Sequence, residues 1–144
     1  VPGEVTANGL ARLPAVLEQV QPKLVILCHG GNDLLRRHSE AQAAEKFGAD
    51  NVETYEYNLG GNGKSQILGT AGFIKLVRRN NGPVVGVHMI GSRVGEQIGE
   101  GQLIVNWEAY PEDVATLVHA HPTMNEAIGE AHLALAGKPL HAHA

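Results

Sequence analysis

Gly72-Phe73-Ile74-Lys75-Leu76-Val77-Arg78-Arg79-Asn80-Asn81-Gly82-Pro83-Val84-Val85-Gly86-Val87-His88-Met89-Ile90 reads as two apolar runs of strand length, split by Asn80-Asn81-Gly82. Asn and Gly accept the positive φ that a tight hairpin turn demands, so this stretch predicts an antiparallel pair. Upstream, Val52–Asn58 alternates, with Val52, Thr54 and Glu56 on one face and Glu53, Tyr55 and Tyr57 on the other. A period of two is that of a strand. Glycine-rich Leu59–Lys64 reads as turns, and Glu40–Phe47 as a short helix stopped by Gly48.

Downstream the period changes. Val94, Ile98, Gly101 and Val105 mark one helical face that extends to about Trp107. Pro111–Val118 opens with Pro and two acids, as a helix N-terminus prefers. A last helix is expected from about Met124 to Ala136, stopped by Gly137, with the tail His141–Ala144 frayed. Strands followed by helices argue for an α+β fold over residues 39–144. The expected architecture is an antiparallel or mixed sheet with the C-terminal helices on one face.

Residues 1–38 have another character. Leu10, Leu13, Leu17 and Val20 place an amphipathic helix over Thr6–Val20, with Thr6 as its cap and Pro14 kinking it. Lys23–Cys28 is a continuous apolar run, as in a strand buried on both faces. His29–Asp33 reads as a loop and Leu34–His38 as the start of a helix. Helix, strand and helix in this order suit a piece of a parallel α/β fold, so a domain boundary is expected near residue 38.

Composition narrows the function. A chain of 144 residues is one domain's worth and can bury a core. Its 43% hydrophobic and 18% charged residues exclude a disordered chain. The net charge of −4, the unclustered basic residues and an aromatic content of 4% argue against a nucleic-acid partner. Cys28 is the single cysteine, so the sequence holds no intramolecular disulfide or redox thiol pair. No stretch nears the roughly 18 apolar residues of a membrane span. The opening Val1-Pro2-Gly3-Glu4 shows no leader. A cytoplasmic protein without a membrane partner is expected.

Several local patterns invite chemistry and have plainer readings. Gly61-Asn62-Gly63-Lys64-Ser65 suggests a phosphate loop, but that pattern needs glycine at position 58, where Asn58 stands, and no clear helix is expected after Ser65. The pairs His119/His121 and His141/His143 have metal-binding spacing without the four ligands a structural site needs, so no metal is expected. Thr123-Met124-Asn125-Glu126 is a capping box, Thr123 at N-cap and Glu126 at N3.

Four stretches carry a family resemblance: Gly86–Gly91 (GVHMIG), Gly95–Glu100 (GEQIGE), Trp107–Val114 (WEAYPEDV) and His119–Glu126 (HAHPTMNE). In their order and spacing they resemble the C-terminal interface domain of dihydrolipoamide dehydrogenase, a flavoprotein disulfide oxidoreductase. The resemblance implies a homodimer, with interface residues around Val105, Trp107, Tyr110, His121 and Pro122. It maps the family's catalytic pair onto His121 and Glu126, the His exchanging a proton with a dithiol and the Glu orienting its ring. The family uses FAD and NAD. No GxGxxG fingerprint for either is present, so neither cofactor is expected in this chain, and the pair is expected to be inactive here.

A second resemblance covers residues 1–37. Val1-Pro2-Gly3-Glu4-Val5-Thr6 and Gly30-Gly31-Asn32-Asp33 look like the second and third blocks of the SGNH (GDSL-type) hydrolases, of the arylesterase and acyl-thioesterase group. That likeness would make Gly3 and Asn32 oxyanion donors, without the family's nucleophile or base and so inactive. Together the two resemblances imply a chimera joined near residues 38–40: a truncated, fused dimerisation module without catalysis of its own. The alternatives are a weak esterase, taking Ser39 or Ser65 as nucleophile, and a nonfunctional product.

Overall fold

Helix α1 (Glu40–Phe47) is closed by Gly48, whose φ of 88° ends the helix where expected. The computed structural model describes residues 14–15, 18–19 and 40–142. Residues 14–15 and 18–19 are helical, inside the helix expected over Thr6–Val20. The features expected at Lys23–Cys28, His29–Asp33 and Leu34–His38 lie outside the described residues, as do Gly3, Asn32 and Ser39.

Three strands form one antiparallel sheet: β1 (Val52–Asn58), β2 (Phe73–Arg79) and β3 (Val84–Ile90), with β2 in the middle. The hairpin turn is where the sequence places it, with Asn81 at φ 52° and the Gly82 N–H donating to the Arg79 carbonyl at 2.9 Å. Register puts Tyr57, Ile74 and Met89 in one row and Tyr55, Leu76 and Val87 in the next. That face holds the core, in which Tyr57, Ile74, Leu76, Val87 and Met89 are all buried.

The core face is covered by α3 (Val94–Asn106), which packs on β3, and by α5 (Glu126–Leu135), which packs on β1 and β2. Gly101 lets α3 approach closely: a side chain there would sit 3.3 Å from both Met89 and Val87. Lys75 points to the opposite face, because side chains alternate along β2, and it pairs with Glu40 of α1. The C-terminal helices thus lie on one face, as expected, and α1 covers the other.

Three sequence expectations are corrected. A helix does follow the glycine-rich turn: α2 (Gly63–Leu68) begins at Asn62, whose side chain accepts the Ser65 N–H at 2.9 Å as an N-cap. The helix expected over Pro111–Val118 is only α4 (Pro111–Val114). Its last carbonyls are taken early, Asp113 O by the Thr116 hydroxyl at 2.8 Å and Val114 O by the Leu117 N–H at 3.0 Å. Leu117 and Val118 are exposed, so no apolar face extends it. Finally, Thr123 does not cap α5 with its hydroxyl, which donates to Ala120 O at 2.6 Å instead. α5 therefore starts at Glu126.

Candidate functional site

Between α4 and α5 the chain runs through residues 115–125 without regular structure. Met124 packs into the core and fixes the end of this loop next to α5, while none of residues 115–123 is buried. Polar ties place the rest. The Asn62 side chain donates to the Thr123 carbonyl at 3.1 Å while capping α2, which anchors the loop to the turn after β1. Glu126 Oε2 accepts the Thr123 N–H at 2.9 Å, one half of the expected capping box. The His121–Pro122 peptide bond is cis.

The loop brings His121 and Glu126 together, with His121 Nδ1 2.9 Å from Glu126 Oε1. The His121 side chain is 78% exposed and that of Glu126 27%. Burial pushes the Glu126 carboxyl up, but its bonds to the Thr123 N–H and the His121 ring outweigh this and hold it below the usual carboxylate value. A carboxylate on Nδ1 fixes the ring and leaves Nε2 as the nitrogen for an incoming proton. Chemically the pair could serve as an open acid/base dyad.

Sequence reasoning missed a second pair. His119 Nε2 lies 2.7 Å from Glu100 Oε1, and the Asn125 side chain donates to Glu100 Oε2 at 3.0 Å. His119 and His121, two residues apart, thus turn to different carboxylates and do not share a metal site. Among the described residues no group of three His, Cys, Asp or Glu side chains could hold a metal ion. Asn62 was legible in principle: an Asn three residues before Ser65 in a turn is a capping pattern. Glu100 was not, because its contacts span 19 and 25 residues of sequence.

Other expected site residues fare differently. Ser65 is fully buried, with its hydroxyl 2.7 Å from the Thr70 carbonyl, which removes it as a nucleophile. Val105 is buried in the chain's own core and is not available to an interface, whereas Trp107 and Tyr110 are exposed, Trp107 to 75%. β1 leads through the glycine-rich Gly60–Gly63 into α2, but that helix has six residues and Gln66 stands where a GxGxxG fingerprint needs its third glycine. A cleft of about 370 Å³ between Phe47, Arg79, Val84 and Glu108 lies at the far end of β2 from the dyad. Among the described residues no helix is long and apolar enough to cross a membrane.

Dihydrolipoyl dehydrogenase of Bacillus subtilis is 40% identical over 98 residues, 67% of this chain and 21% of that protein. The mitochondrial dihydrolipoyl dehydrogenase 2 of Arabidopsis thaliana is 38% identical over 96 residues, 62% of this chain and 19% of that protein. A further Bacillus subtilis dihydrolipoyl dehydrogenase is 31% identical over 141 residues, 96% of this chain and 29% of that protein. This chain therefore spans a small part of the length of the curated relatives it matches. The family model for the pyridine nucleotide-disulphide oxidoreductase dimerisation domain matches residues 38–132, which take in the sheet, the helices on its core face and the loop with its His–Glu pair, and the chain belongs to that family.

Proposed function

We propose that this chain is the homodimerisation module of a dihydrolipoamide dehydrogenase-type disulfide oxidoreductase, and that in the whole oxidoreductase it offers His121 and Glu126 to a dithiol of the neighbouring subunit, which this sequence, with Cys28 alone, does not itself hold. The observation that carries this reading is the 2.9 Å His121–Glu126 contact on a loop whose imidazole is 78% exposed. Acid/base groups work in sites that exclude water. An imidazole this open needs a second surface to complete its site, and a dimer supplies one. Trp107 and Tyr110 are exposed aromatic residues of the type that interfaces are enriched in.

Alone, the chain turns over nothing on this reading. Its sequence has one thiol, Cys28, and no GxGxxG fingerprint for FAD or NAD. The single thiol also suits a reducing compartment such as the cytoplasm. A truncation and fusion near residues 38–40 would leave a domain of residues 39–144 behind a hydrolase-like segment of residues 1–38. The relative matched over 96% of the chain counts against that fusion, because its match takes in most of residues 1–38.

The test is the fluorescence of Trp107, the chain's single tryptophan. Burial in a dimer should give blue-shifted emission that moves to the red on dilution. Emission of a wet indole that ignores concentration would overturn the interface reading. An activated acyl ester discriminates the rival: turnover abolished by Asn32→Ala would install the esterase reading, and only background hydrolysis is expected. Flavin absorbance in the purified chain would contradict the claim that it carries no redox centre.

A further inference from the structure

One carboxylate holds both flanks of the loop that carries His121. Glu100 projects from α3, its Oε1 2.7 Å from His119 Nε2 and its Oε2 accepting from Asn125 Nδ2 at 3.0 Å. These partners stand two residues before and four after His121. Met124, in the core, and the His119 ring, against Gly129, bracket the segment with His121, and residues 120–123 between them bury no side chain. The polar ties from the body of the fold to this segment and its flanks are then Asn62, on the Thr123 carbonyl, and Glu100, on His119 and Asn125.

We propose that Glu100 is a positioning residue for the His121–Glu126 pair: by pinning His119 and Asn125 it sets the His121 ring against Glu126. Glu100 touches neither member of the pair, so it acts through the loop. The proposal rests on the acid/base role proposed for His121, but the geometry it concerns can be measured without any reaction.

The surroundings are arranged for such a clamp. The side chains of His119 and Glu100 are 12% and 23% exposed, so water screens their attraction little. Their bond raises the His119 pKa against the opposing effect of burial. Burial in turn pushes the Glu100 carboxyl up, and the bonds to His119 and Asn125 more than reverse it. Both partners thus favour their charged forms. Gly129 on α5 leaves room for the ring: a side chain there would stand 2.8 Å from His119 Nδ1.

The experiment is nitrogen-15 NMR of the histidine rings in the full chain. In wild type, the His121 nitrogens should show Nδ1 engaged by a carboxylate. Glu100→Gln should move them toward the shifts seen in Glu126→Gln, with core methyl signals of Met89 and Ile128 unchanged. Asn125→Ala, which frees one flank only, should move them less and in the same direction, and it covers the case where Glu100→Gln does not fold. Unmoved His121 nitrogens in a folded variant overturn the proposal. Because the readout is ring geometry, this proposal and the acid/base reading of His121 can fail separately.

Discussion

His132 is held neutral by its place in the fold. Burial drives its pKa down to about 4, against the opposing effect of its bond to the Ile128 carbonyl at 2.7 Å. That bond makes Nδ1 the donor, so Nε2 is an acceptor, and it is buried without a partner. A base whose pKa is depressed by folding binds more protons when unfolded. Its contribution is therefore complete above about pH 6.5 and is lost as pH falls toward 4, about 3 kcal/mol in all. Urea unfolding of His132→Leu should show a smaller loss between pH 7 and pH 4 than wild type, and an equal loss would contradict the assignment. His119 has the opposite sign. Its raised pKa makes its contribution full below the ordinary histidine value and lost as pH rises through the folded one. Glu126 offers a second comparison at this scale. Glu126→Ala removes the acceptor for the Thr123 N–H and should cost about 1 kcal/mol. Glu126→Gln keeps an oxygen there and should cost less, by the same urea measurement.

Among the elements, the sharpest constraint is where β2 begins. Gly72 has φ 149°, and a side chain there would meet the Ile90 carbonyl oxygen of β3 at 2.0 Å. Gly72→Ala forces backbone against backbone and should cost about 3 kcal/mol or more, read as a lowered thermal midpoint. A midpoint within a degree or two of wild type would mean that the strands separate there freely. Elements with strong local signals were legible in the sequence. Glu40–Phe47 and Val52–Asn58 have the bounds that composition and period gave them, and the hairpin turn sits on Asn81 and Gly82. The errors came where side chains chose distant or unexpected partners. The Thr123 hydroxyl went to Ala120, and Asn62 made a helix start of what read as a turn. At the site, the His121–Glu126 pair is five residues apart in sequence and came through the resemblance. Glu100 and Asn62 act over 19 to 61 residues, a range that no local pattern encodes.

At the scale of the whole molecule, the exposed side chains pose the remaining question. Leu103, Trp107, Tyr110, Leu117 and Val118 lie on the segment from α3 to the loop after α4, all exposed in the single chain. Scattered apolar residues on a surface are ordinary, but this many on one segment suit a surface covered by a partner. A second copy would place the same segment on both sides of a two-fold axis. It would also close water away from His121. Light scattering on the purified full chain during size exclusion measures this directly. A mass twice that of one chain, stable across the loading range, is the expected result. A monodisperse single-chain mass at every concentration would contradict the dimerisation module and leave His121 without the second surface that its proposed acid/base role needs.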